Sequence, residues 1–298
     1  MQTAPHRIEI VAGTPPGGGQ DRAARALAAA IESSSTADVT VSNVEGRGGG
    51  AAWEMLGSRS GDPTLLSISS PTLLSNHLHD RDEPGGSDLT HVAMLCTEPL
   101  AFAVASTSGI ASASDLLEAL RHGSVRVVVA TALGNINHMA LADVAASVGV
   151  PVADVPVSAF GSARDAVSSL GVESDLAVVS AASTLGAVEL GEVRVVALAS
   201  TGRLGGRLAS VPLWTELGVD ATRSTWRGVV APPGLAPADQ RDLELLVERA
   251  VTTPPWQDAI ERYAWVPMLL LGSDAETFAA SESESMRTSL EQLGMLHG

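Results

Sequence analysis

The chain has 298 residues, 45% of them hydrophobic and 17% charged, which is enough for a large core and one or two domains. Its 18 basic residues are all arginines and stand against 34 acidic ones, a net charge of −16. That balance excludes nucleic acid or an anionic membrane surface as a partner held by bulk charge, and no apolar run approaches the roughly 20 residues of a membrane span. Cys96 is the only cysteine, so an intrachain disulfide is impossible; in the run HVAMLC it reads as a small buried hydrophobe.

Arg7–Ala12 (RIEIVA) reads as a short strand and DRAARALAAAIE as a helix. Between them lies Thr14–Asp21, TPPGGGQD. Two prolines set the direction of the chain, and three glycines let the backbone approach something small. The helix behind them offers unpaired N–H groups and the positive end of its dipole, so strand, glycine turn and helix start together make an anion site. Asp21 at the helix start reads as a partner for that dipole rather than for an anionic ligand.

Further strands are expected at Val39–Asn43, Thr64–Ser69, His91–Cys96, Leu100–Ala105, Val125–Ala130, Asp175–Val179, Val193–Ala199 and Gly228–Ala231. Helices are expected at Gly50–Ser60, Ser112–Arg121, Asn135–Val148, Gly161–Leu170, Pro237–Val251, Pro255–Tyr263 and Asp274–Leu293. The alternation, with near-continuous apolar runs such as VRVVVA, predicts parallel sheets covered on both faces. A second strand–loop–helix unit, Val125–Ala130 followed by TALGNINH, repeats the chemistry of the first. Gly134 supplies the turn there, and Asn135 is placed to cap the helix. Two such units predict two α/β domains whose helix starts face one cleft, since ligands bind beyond the carboxyl ends of such strands.

No nucleophile elbow, Walker A loop or H-E-x-x-H motif occurs, so an enzyme is not expected. No metal site or cofactor is expected either. His77 and His79 (NHLHD) lie in a polar stretch without further ligands, and His138 reads as a helix-start or packing residue. Arg47 can meet a ligand carboxylate or pair with Glu45 or Glu54, and Trp226 reads as hinge packing or a pocket wall. The opening MQTAPHR is too short and polar for a signal-peptide core, which leaves a cytoplasmic protein or a mature portion without its export signal.

Several motifs together resemble the extracytoplasmic solute-binding receptors of tripartite tricarboxylate transporters, the Bug receptors. The family pattern I-x-I-V-x-P-x-P-P-G-G-G-x-D-x-x-A-R is met at Ile8–Arg25 by IEIVAGTPPGGGQDRAAR. Val41–Ala52 (VSNVEGRGGGAA), Gly61–Leu66 (GDPTLL), Gly134–His138 (GNINH), Val155–Asp165 (VPVSAFGSARD), Leu208–Gly218 (LASVPLWTELG) and Trp226–Pro237 (WRGVVAPPGLAP) come next in the family's order. Gln20, Asn135 and Val157–Ser158 depart from it, standing where the family carries Thr or Ser, Ser, and Tyr-Lys.

The resemblance implies a type II periplasmic binding protein fold, two α/β domains joined by crossing strands that hinge over an interdomain ligand cleft. The first domain is expected at 1–105 plus 222–298 and the second at 106–221, with crossings near Leu100–Ser106 and Asp220–Trp226. It also implies export to the periplasm or cell surface, a monomer, a small organic carboxylate as ligand, and integral membrane permease subunits as partners. The alternative is a ligand-sensing binding protein for a two-component system. From the first domain the ligand is expected to meet Thr14, Pro16, Gly17, Gly18, Gly19 and Gln20, with Ser69, Ser70 and Thr72 at its other end. From the second it is expected to meet Thr131, Gly134 and Asn135, with Ser158, Phe160 and Ser180 along the far wall. Loss of the family's lysine at Ser158 predicts one well-held carboxylate on a neutral remainder, unless Arg47 or another arginine faces the cleft.

Overall fold

The computed structural model describes residues 6–79 and 88–296. In chain order β1 (Arg7–Ala12), α1 (Gly19–Ser34), β2 (Asp38–Asn43), α2 (Gly50–Gly57), β3 (Leu65–Ser69), α3 (Pro71–His79) and β4 (Thr90–Glu98) come first. Next are β5 (Leu100–Ala105), α4 (Ala113–Arg121), β6 (Val127–Ala130), α5 (Ile136–Ser147), β7 (Val157–Phe160), α6 (Ala163–Ser168), β8 (Leu176–Ser180), α7 (Ala181–Glu189) and β9 (Val193–Ala199). The chain closes with β10 (Thr225–Ala231), α8 (Pro237–Ala250), α9 (Pro254–Arg262), β11 (Val266–Leu271) and α10 (Gly272–Gln292). The elements α3, β7, α7 and β11 have no counterpart among the elements expected from the residues. His77 therefore lies in a helix rather than a loop, while the side chain of His79 lies outside the described residues.

Two sheets form, and each is mixed rather than purely parallel. The first runs β11-β4-β10-β3-β1-β2, the second β7-β6-β8-β5-β9. The βα units supply the parallel pairs: β1 with β2 and β3, and β6 with β7 and β8. The strands that carry the chain between sheets pair antiparallel, β10 with β3 and β4, and β5 with β8 and β9. The outward crossing is one residue long, Pro99, between β4 and β5. Leu100–Ala105, expected in the first domain, thus belongs wholly to the second sheet. Pro99 has no N–H to offer a ladder, and its carbonyl accepts the amide of Ala181 at 2.8 Å. The return crossing is the irregular stretch 218–224 before β10.

Successive side chains of the strands enter cores on opposite faces, which is why the runs are apolar throughout. Ile8, Ile10 and Ala12 of β1 pack with Leu27 and Ile31 of α1 and with Leu243 and Val247 of α8. Val11, between them, joins Trp53 and Leu56 of α2 on the other face. In the second sheet Val127 and Val129 face one core while Val128 and Ala130 face another.

The lobes also share a core, which reaches the cleft at Met286. Met94 and Trp226 of the first sheet pack with Leu100 and Phe102 of the second, and with Met286 and Leu290 of α10. Trp226 is 1% exposed, edge-on to Phe278 at 5.9 Å, and its indole N–H donates to Glu282 at 3.2 Å. In the return crossing, Arg223 donates to Asp143 of α5 at 2.6 Å and to Ser285 of α10 at 3.3 Å.

Gly228 lies in β10 where β3 and β4 leave no room. A side-chain carbon there would sit 2.7 Å from Ser69 Oγ, 2.8 Å from Met94 Sδ and 2.9 Å from the Ala93 carbonyl. Gly228→Ala should therefore cost about 1–3 kcal/mol through overpacking. Urea unfolding should show a lower midpoint at unchanged slope, and an unchanged midpoint would refute the crowding.

Candidate functional site

The starts of five helices meet at one cleft of 1070 Å³. Each comes after the carboxyl end of a strand: α1 after β1, α3 after β3, α5 after β6, α6 after β7 and α7 after β8. Such starts carry unpaired amides and the positive ends of helix dipoles. Of the residues expected to touch a ligand, Thr14, Pro16, Gly17, Gly18, Gly19, Gln20, Ser70, Thr72, Thr131, Asn135 and Ser180 line this cleft.

Ser69, Gly134, Ser158 and Phe160 do not line it. Ser69 is fully buried beneath Gly228. The Gly134 amide is turned inward and donates to His138 Nδ1 at 3.0 Å. Ser158 sits mid-strand on β7, an edge strand, and is exposed. The wall expected at Ser158 and Phe160 lies just further on, at Gly161–Arg164, because a site beyond strand ends is built by the loops and helix starts that succeed the strands.

The first loop is held rigidly by its own bonds. Gly17 adopts φ +83°, and its amide donates to Asp21 at 2.8 Å. The Gly18 amide donates to the Pro15 carbonyl at 2.9 Å. The amide of Asp21 reaches Thr14 Oγ1 at 3.3 Å, and Gln20 Oε1 accepts the Gly13 amide at 2.8 Å. The first-turn amides of Gly19 and Gln20 are the ones left unspent, so the expected run of amides Gly17–Gln20 narrows to these two. Burial pushes the Asp21 carboxyl up, but Arg25, the Gly17 amide and Asn43 together hold it below its ordinary value of 3.8. Asp21 is thus the loop's internal clamp, in line with its reading as a dipole partner.

The second loop is strained and capped. Thr131 is β-branched yet adopts φ +69°, a left-handed conformation costly for such a side chain. Asn135 holds it there: its Nδ2 donates to the Ala130 carbonyl at 2.6 Å and to Thr131 Oγ1 at 2.8 Å. Its Oδ1 accepts the amides of Asn137 at 3.0 Å and His138 at 3.2 Å. Those four bonds use the full capacity of an amide side chain, so Asn135 shapes the cleft and has none left for a ligand. His138 accepts the Gly134 amide as a neutral ring, and burial pushes its pKa down.

The charged residues lining the cleft are Arg22, Arg164 and Arg227 against Glu98 and Glu192, a small positive excess in a chain of net charge −16. None of these five was anticipated from the sequence, where an arginine in a strand or helix gives no sign of which way it faces. Arg47 is absent from the lining and pairs with Glu54, and Trp226 packs in the shared core. No group of three or more metal-ligating side chains gathers among the described residues.

Asn135→Ala should lower stability by about 1–2 kcal/mol, as loss of a helix cap does, measured by thermal unfolding. Asp21 contributes stability fully above its ordinary pKa and loses it as pH falls through the depressed value. Asp21→Asn should therefore flatten the loss of stability on acidification below about pH 4. An acid limb identical to wild type would exclude the clamp.

Residues 23–295 match the family described as TctC, tripartite tricarboxylate transporter family receptor. Among solved structures, a TctC solute-binding protein from Polaromonas is 22% identical, covering 96% of this chain and 98% of its own, with a TM-score of 0.77. An R. palustris protein solved with adipate is 19% identical over 97% of this chain and 98% of its own, TM-score 0.82. MatC from Rhodopseudomonas palustris, solved with malate, is 18% identical over 96% of this chain and 99% of its own, TM-score 0.78. Those likenesses carry the two-lobed periplasmic binding protein fold. The family match spans nearly the whole chain, which belongs to the tripartite tricarboxylate transporter receptors, a family of solute-binding receptors rather than enzymes.

Proposed function

We propose that this protein is an extracytoplasmic receptor that captures a small organic carboxylate in the cleft and delivers it to membrane permease subunits. The observation that carries the reading is the convergence of helix starts from both sheets, with the Gly19 and Gln20 amides unspent, inside a strongly acidic chain. Dipoles and neutral donors hold an anion without net protein charge. Relatives of the same fold hold adipate and malate. The ligand's first carboxylate sits on the start of α1. Hydroxyls of Ser70, Thr72 and Thr131 and the side chain of Asn137 surround its body. Arg164 stands exposed at the start of α6 on the opposite lobe, where a second anionic group meets it. Its presence removes the ground for expecting a neutral remainder, so a dicarboxylate fits this cleft better than a monocarboxylate.

Pro99 and the stretch 218–224 form the hinge, and ligand bridging both lobes favours the closed form, which is the form the membrane subunits meet. Isothermal titration with adipate, malate and citrate should give one saturable site and return the ligand chemically unchanged. Small-angle scattering should show a smaller radius of gyration at saturation. A panel that neither releases heat nor raises the melting temperature would remove the carboxylate reading.

A further inference from the structure

Glu98 and Arg227 meet at the place where the chain changes sheets. Glu98 ends β4 just before the outward crossing, and Arg227 is the third residue of β10, just after the return. They are 129 residues apart in sequence, 2% and 8% exposed, and Arg227 Nη2 donates to Glu98 Oε2. Arg227 Nη1 makes two long bonds of 3.3 Å, to Thr225 Oγ1 and the Trp226 carbonyl. Its Nε is buried without any partner. The guanidinium also lies directly against Gly19, where any side-chain carbon would collide with Nη2. Gly19 carries one of the two unspent amides of α1, and Glu98 and Arg227 both line the cleft.

A buried ion pair kept only for cohesion is weakly justified, because an apolar pair of similar volume does as well or better. This pair has an unfilled N–H, borders the cleft, and stands beneath the amides best placed for an anion. We infer that Arg227 is the counter-charge for the ligand carboxylate seated on the start of α1, and that Glu98 is a built-in competitor for it. Glu98 keeps the guanidinium oriented and neutralised while the cleft is empty. An arriving carboxylate shares Arg227 with Glu98 and feels the repulsion of its charge. Glu98 and Arg227 are almost wholly buried, so attraction and repulsion are both weakly screened. Glu98 thereby sets affinity below what the cleft could reach, which suits a receptor that must release its cargo. The inference rests on the proposed carboxylate binding and deepens it.

The test titrates adipate, malate and citrate into wild type, Glu98→Gln, Arg227→Gln and the double variant, with thermal unfolding of each. Glu98→Gln should unfold earlier when empty, yet bind about tenfold tighter and gain more melting temperature from ligand. Arg227→Gln should bind about 10- to 100-fold more weakly. The double variant leaves no buried charge unpaired, so it keeps its fold while retaining the weak binding of Arg227→Gln. A purely cohesive pair predicts the opposite sign for Glu98→Gln, with affinity unchanged or reduced. That result, or wild-type affinity in the folded double variant, overturns the inference while leaving the carboxylate reading intact. If wild type binds none of the three acids, the reading and the inference fall together.

Discussion

Everything at the cleft depends on the direction of five strands. β1 and β3 in one sheet, and β6, β7 and β8 in the other, end at the same gap, and a helix is the next element after each. Parallel βα units allow no other arrangement: the strand's carboxyl end and the helix's amino end must coincide. The positive dipole ends thus come from topology rather than from charged side chains. This explains how a chain with 34 acidic and 18 basic residues can present a cleft that favours anions. The arginines that do line it adjust a field the backbone has already set.

The loops at those strand ends are fixed by bonds within the protein, not left open for ligand. Asp21 ties Gly17, Arg25 and Asn43 together across β2 and α1. Asn135 ties the strained Thr131 to the helix it caps. Donors intended for a ligand must already point correctly before it arrives, because reorienting them afterwards costs affinity. The unspent amides of Gly19 and Gln20 are the product of that preorganisation.

Much of this was legible in the residues. The run RIEIVA–TPPGGGQD–RAARALAAAIE contains the strand, loop and helix that the structure shows at β1 and α1. Asn135 was legible as a cap from its place before a helix. Other pieces left little local trace. The helix α3 begins with Pro71 immediately after Ser69 and Ser70, and its SNHLH segment reads as polar loop. β7 has four residues at a sheet edge, none of them fully buried, so neither length nor apolar pattern marks it. Pro267 disguises β11, which tolerates it as an edge strand. The pairing of Arg227 with Glu98 bridges 129 residues and arises only from how the sheets are connected. Ser158 lies outside the cleft because a motif match locates a residue in sequence only, and Ser158 is mid-strand in β7 whereas the cleft is lined by the loop and helix start that succeed that strand.

The core shared by Met94, Trp226, Phe102, Met286 and Leu290 has a mechanical meaning. Here the two lobes share one packed cluster, with α10 laid against both and Arg223 pinned to α5 and α10. A close-packed interior does not stretch, so in the proposed closure that cluster would serve as the spine of a book. The proposed swing of the lobes would then be limited by how far the spine's side chains can roll without parting. Each lobe also keeps cores of its own, so what ties the two together is this shared cluster and not the whole of their interiors.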